Sequence, residues 1–436
     1  MSDDLKNQVR NFIEGGLCLV VEPSSSFSAC LQSFLSNHGV PLSQVKVCRK
    51  YDEAKQLLLS HKPKFLVTEY DLTPMHGLSL VELQETLYPD NQRVAIVVTK
   101  NSSDTVVAEA AEGAVDAFIL KPFSTDVLQE KLSAVFQKKL QPSPYQKKIS
   151  DAQQKFTASQ FKEALLEFRA AKSIDPKPTL ACYFSGKTLQ KMGDIEGALK
   201  EYREGRTYQP LHYKCLIGEY EAMMVQQKYA DAYNLVPIIR ANYPISSQRL
   251  GQICTSAVFA YQFDDLPDLY DLFLKLEARP STLCDMVALA LFSGGRYWIK
   301  KNDMTNAMSF FNMAITVKGR DIQYLDKVIS ELLRINAIPQ AETVLSKILP
   351  GDVGSPTHSQ LLFRVNQRLL PPDQVMEAGR KLVLAGHGNP EIYKTLVEML
   401  VTAGKMTLAE TIISRAAKDD PKLQPILYAL FPKEKT

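Results

Sequence analysis

The chain has 436 residues, of which 45% are hydrophobic and 23% charged, and it carries a net charge of +3. That length allows two or three domains with their own cores, and the balance is that of a globular chain rather than a disordered or fibrous one. So small a charge offers no footprint for nucleic acid, and apolar runs such as Leu17 to Val21 or Val94 to Val98 are too short to cross a bilayer.

The first residues, Met1-Ser-Asp-Asp-Leu-Lys, are acidic and lack the basic start and apolar core of a signal peptide, so a cytoplasmic protein is expected. Seven cysteines are odd in number, widely spaced and without a C-x-x-C pair, which predicts buried thiols in a reducing compartment. The six histidines form no H-E-x-x-H, and no Ser/His/Asp or Cys/His arrangement emerges. Neither a metal site nor an enzyme activity is therefore expected.

Residues 3 to 14 can form a short amphipathic helix using Val9, Phe12 and Ile13, with Gly15-Gly16 ending it. From Leu17 short apolar runs alternate with helical periodicity. Strands are predicted at 17–21, 45–48, 64–68, 93–98 and 116–120, and helices near 26–37, 51–60, 77–87, 103–112 and 125–138. Five βα units predict an α/β doubly wound, five-stranded parallel sheet.

One stretch stands out: Phe65-Leu-Val-Thr-Glu69-Tyr-Asp71-Leu-Thr-Pro74-Met75-His-Gly77, a buried strand ending in a carboxylate. Carboxyl ends of central strands form the ligand crevice of such sheets. Around it stand Glu22-Pro23 after the first strand and Thr99 after the fourth. Phe118 follows Ala111-Glu-Gly113-Ala114, and Lys121-Pro122 closes the fifth strand. These landmarks, in this order, resemble the receiver domain of bacterial response regulators, which has the flavodoxin-like topology.

The resemblance implies Glu69 at the phosphoacceptor place and Glu22 in the acidic pocket. It also implies switch roles for Thr99, Phe118 and Lys121, with a Lys121–Pro122 bond of the cis kind. The departures matter equally. The family expects an aspartate where Glu69 stands and a second acid where Pro23 stands. Pro23 cannot supply a carboxylate, so any Mg²⁺ site is weakened and no cofactor is expected. Glu69 is read in three ways: as a partner of Lys121 in a degenerate pocket, as an imitation of a phosphoryl aspartate, or as a residual acceptor. Asp71 is read as a turn residue.

Leu140-Gln-Pro142-Ser-Pro144 marks a linker, after which strand signals disappear. Ala164, Phe168, Ala171 and Pro176 recur 34 residues later as Ala198, Tyr202, Gly205 and Pro210, and again as Ala232, Val236, Ile239 and Pro244. Ala307, Phe311 and Ala314, then Ala341, then Ala409, Ile413 and Ala416 resume the pattern after a slip. This spacing resembles the tetratricopeptide repeat and implies an all-α superhelical solenoid.

The expected divisions are a helical extension at 1–16, a receiver at 17–140, a Pro-containing linker at 141–145 and repeats at 146–431. Groove positions fall on Tyr183, Lys187, Ile217 and Glu221, which lack the lysine and asparagine pattern of chaperone-binding members. Gly294-Gly295 reads as a close helix contact, and Trp298 as core or groove lining.

The architecture implies a bacterial signalling adaptor, with a receiver independent of phosphorylation and repeats that hold a protein or peptide ligand. Neither nucleic acid nor membrane is an expected partner, and the receiver is a candidate homodimer contact. Two rival readings remain: a phosphorylatable two-component response regulator with repeat output, and a repeat receptor for a small peptide.

Overall fold

The computed structural model describes residues 7, 10–13, 16–72, 75–88, 92–100, 115–140, 142–243, 245–276 and 279–432. The helix expected at 103–112, and the segment 111–114, lie outside them.

Five parallel strands form the sheet: β1 Cys18–Val21, β2 Val45–Cys48, β3 Phe65–Glu69, β6 Val94–Thr99 and β7 Ala117–Leu120, in the order β2-β1-β3-β6-β7. A two-residue hairpin, β4 Asp71–Leu72 with β5 Met75–His76, follows β3. β1, β3 and β6 are buried along their whole length, which is why they read as continuous apolar runs rather than alternating ones.

Alternate residues feed two cores. Val20, Phe65, Val67, Ile96 and Val98 meet the helices Ser25–Asn37 and Thr125–Leu140. Leu19, Val21, Leu66, Ala95 and Val97 meet Tyr51–His61 and Leu78–Leu87. The N-terminal segment joins the first core through Ile13 and an edge contact of Phe12 on Phe136.

Pro144 and Tyr145, assigned to the linker from sequence, instead open the helix Pro144–Thr157. Proline suits the first helical position, where its missing N–H would be unpaired anyway, and Ser143 with Gln146 makes a capping box. Tyr145 is a packing residue, its hydroxyl accepting the Ala181 N–H at 2.9 Å.

Beyond this point the described residues form helices in consecutive pairs as far as Asp419. The 34-residue places are packing places. Ala164, Phe168 and Ala171, Ala198, Tyr202 and Gly205, and Ala232, Val236 and Ile239 are all buried. The Tyr202 ring lies between Gly186 of its own pair and Gly218 of the next, where an added Cβ would come within 2.6 Å of Cε1 in both cases. Gly294 and Gly295 play the same part against Phe310 and Phe311.

In the third pair the second helix is split into Tyr229–Tyr233 and Val236–Asn242, because Pro237 has no N–H to continue the ladder. The chain divides into two compact units, one of Met1–Tyr261 with Leu276–Ala278, the other of Gln262–Lys275 with Arg279–Thr436. The successive helices Ser247–Phe259 and Leu266–Lys275 fall in different units. No helix among the described residues is long and apolar enough to cross a membrane.

Candidate functional site

The sheet order reverses direction between β1 and β3, and the carboxyl ends of the strands on either side of that point converge. Glu22 follows β1, Glu69 ends β3, Thr99 ends β6 and Lys121 follows β7, so residues far apart in sequence share one crevice. All four are buried.

Lys121 Nζ lies between the two acids. It pairs with Glu69 Oε2 and stands 2.6 Å from Glu22 Oε2. The Glu22 contact is an ion pair only, since that oxygen has no hydrogen-bond partner. The remaining carboxylate oxygens are taken by backbone. Glu22 Oε1 accepts the Ser24 N–H at 2.9 Å, and Glu69 Oε1 accepts the N–H groups of Tyr70 at 2.9 Å and Asp71 at 3.4 Å.

The Lys121–Pro122 peptide bond is cis, and Lys121 N–H donates to Thr99 O at 2.8 Å. Thr99 thus adjoins Lys121 through its backbone, while Phe118 is half-buried and packs on the core that contains Tyr70 and Val97. Gly77 must be glycine because the chain passes directly over Glu69: an added Cβ would strike the Glu69 carbonyl oxygen and come within 2.5 Å of Thr68 Oγ1. That close approach is the physical content of the Glu69-to-Gly77 spacing.

One member of the crevice has no sequence signal. Phe27, in the helix Ser25–Asn37, places its ring 4.9 Å from Lys121 Nζ and packs against Phe123 at 5.1 Å. The negative face of an aromatic ring attracts an ammonium placed beside it. The fit to a divalent cation is poor. An ammonium stands between Glu22 and Glu69, two of their four oxygens are held by backbone N–H groups, and Pro23 brings no ligand.

Of the four groove candidates, Tyr183, Lys187 and Glu221 are half-buried, but Ile217 is buried and lines no open surface. Lys187 and Lys214 approach the Tyr183 ring at 6.0 Å and 5.8 Å, and Glu221 pairs with Arg249 at 3.0 Å. Burial pushes the Tyr183 hydroxyl well above the usual tyrosine range, with the carboxylates of Glu85 and Glu221 adding to it.

Trp298 is half-buried, and its indole N–H has no partner among the described residues. Burial raises Cys18, Cys48, Cys182, Cys215 and Cys254 to about 12, so these thiols are packing groups. Cys182, Glu201 and Glu204 bring ligand atoms within 4.8 Å of one another, but Lys172 Nζ stands 2.5 Å and 2.8 Å from the two carboxylates and compensates them.

The model of the response regulator receiver domain matches residues 18–133. Chemotaxis protein CheY of Pseudomonas aeruginosa is 28% identical over 120 residues, covering 28% of this chain and 95% of that protein. A Chemotaxis protein CheY homolog of Campylobacter jejuni is 30% identical over 118 residues, covering 27% of this chain and 89% of that protein. A solved tetratricopeptide repeat protein from Parabacteroides merdae superposes with a TM-score of 0.33 at 13% identity, over 58% of this chain and 97% of that one. Through residues 18–133 the chain belongs to the response regulator receiver domain family.

Proposed function

We propose that this chain is a signalling adaptor whose receiver works without phosphorylation and whose helical repeats bind another protein. The observation that carries the reading is the Lys121 ammonium seated between Glu22 and Glu69. Phosphoryl transfer to a carboxylate needs a free oxygen to attack and a cation to offset the charge of the phosphoryl group. Glu69 offers no free oxygen. One accepts backbone N–H groups and the other holds Lys121.

The same lysine supplies a positive charge internally, so one of the two carboxylate charges of the crevice is offset without Mg²⁺. Stacked helix pairs supply the output, since an extended face built from repeated helices suits a protein or peptide ligand. The receiver then acts as a fixed structural partner.

Incubating the full chain with acetyl phosphate and Mg²⁺, followed by intact mass measurement, tests this. The expected result is no mass gain of a phosphoryl group. An adduct that disappears in Glu69→Ala or in Asp71→Ala would overturn the proposal in favour of a phosphorylatable response regulator.

A further inference from the structure

The repeat helices that begin at Pro144, Ser247, Ile322, Pro356 and Pro390 start under a side-chain oxygen of Ser143, Ser246, Asp321, Ser355 or Asn389. The helix Tyr213–Val225 is capped by a nitrogen instead. His212 Nδ1 accepts the Cys215 N–H at 3.3 Å. Acceptance requires a neutral imidazole with its proton on Nε2, because an imidazolium carries a proton on both nitrogens and has no acceptor left. Of these caps, only the imidazole ordinarily changes its charge between pH 5 and 8.

The approach to His212 is pinned from two helices. Arg206 Nε donates to Pro210 O at 3.3 Å. The Tyr243 hydroxyl donates to Leu211 O, and its ring packs on Tyr213 at 4.8 Å. Neither pin titrates near neutrality: a guanidinium keeps its charge, and burial pushes the Tyr243 hydroxyl above its usual value. The charges around His212 are cationic, Arg206 from the preceding helix and Lys214 from its own. Glu219 is held by Arg203 and Arg206, and no carboxylate among the described residues pairs with the imidazole. The positive end of the helix also opposes a cation at its first turn. The imidazole therefore takes up its proton below the usual 6.5, with burial the largest cause and Lys214 the next.

We propose that His212 is an acid-sensitive cap on the helix Tyr213–Val225: as a neutral imidazole it closes the first turn, and proton uptake opens that turn. The turn carries Cys215, packed so closely over Gly205 that an added Cβ there would lie 2.7 Å from its Sγ. It also carries Lys214, whose Nζ stands 5.8 Å from the Tyr183 ring, so acid loosens the basic flank of that ring. The unfolded chain binds the His212 proton more tightly than the folded one. The cap's contribution is therefore full above about pH 6.5 and is lost as the pH falls through the lowered value. This inference goes beyond the adaptor reading and holds whether or not the crevice accepts a phosphoryl group.

Hydrogen exchange on the full chain at about pH 7.5 and about pH 5, expressed as protection relative to the intrinsic rate at each pH, tests it. In the wild type, protection across 213–217 should fall on acidification about fivefold more than across 247–259, which a serine caps. His212→Asn keeps an acceptor that does not titrate, and should hold its protection at both pH values. His212→Ala should be poorly protected in 213–217 at both. The proposal is overturned if the wild-type segment stays protected at the lower pH, if His212→Asn loses protection as the wild type does, or if His212→Ala matches the wild type at the higher pH.

Discussion

Lys121 bears the largest share of the crevice's electrostatics. Burying two carboxylates is costly unless a cation accompanies them, and here that cation is part of the chain. Lys121→Met leaves Glu22 and Glu69 facing each other without compensation, and should destabilise the receiver by about 3–5 kcal/mol in a denaturant titration. A loss within ordinary surface values would mean that the pair contributes nothing beyond its packing. At this scale the sequence was informative about identities. Glu22, Glu69, Thr99 and Lys121 were legible because each stands at the end of a predicted strand. Phe27 was not, because a phenylalanine on an amphipathic helix carries no mark of facing an ammonium. The burial of Ile217 was not legible for a related reason: helix numbering gives a face, but not what covers it.

Helix pairs show which interactions are local and which depend on the neighbouring repeat. Glu167, in Phe161–Ala171, is bound by Lys148 and Lys155 of the preceding helix, and their hydrogen bonds hold its carboxyl down at about 2. The unfolded chain takes up this proton near the ordinary value of 4.5, so the folded state binds fewer protons between the two values. Glu167 therefore adds stability that is fully present above about pH 4.5 and is lost as the pH falls toward 2. In melting curves recorded across that range, the gap between wild type and Glu167→Gln should narrow with falling pH. A gap that stays constant would assign the effect to packing instead. The 34-residue period fixed where small and aromatic residues must alternate, but the clasp of Tyr202 between Gly186 and Gly218 involves two successive pairs and is visible only once they are stacked. The Pro144 boundary failed for a plain reason: proline both ends and begins helices, and only its capping partners, Ser143 and Gln146, tell which.

At the scale of the molecule, two compact units each carry their own buried clusters. The single tryptophan, Trp298, belongs to the second unit, so its fluorescence reports that unit while far-ultraviolet circular dichroism reports both. Guanidinium unfolding followed by the two signals should give curves that do not coincide. Superimposable curves would mean that the chain unfolds as one cooperative body. The sequence by itself determined the class of both parts, because strand and helix periods are properties of local residue patterns, and it named the crevice acids because chain order places them at strand ends. Tertiary structure alone decided that Lys121 closes the crevice, that the Phe27 ring stands beside it, and that the helices at 247–275 divide between units. Each of these depends on charges and surfaces brought together from distant positions, where the energy lies in separations that no local pattern encodes.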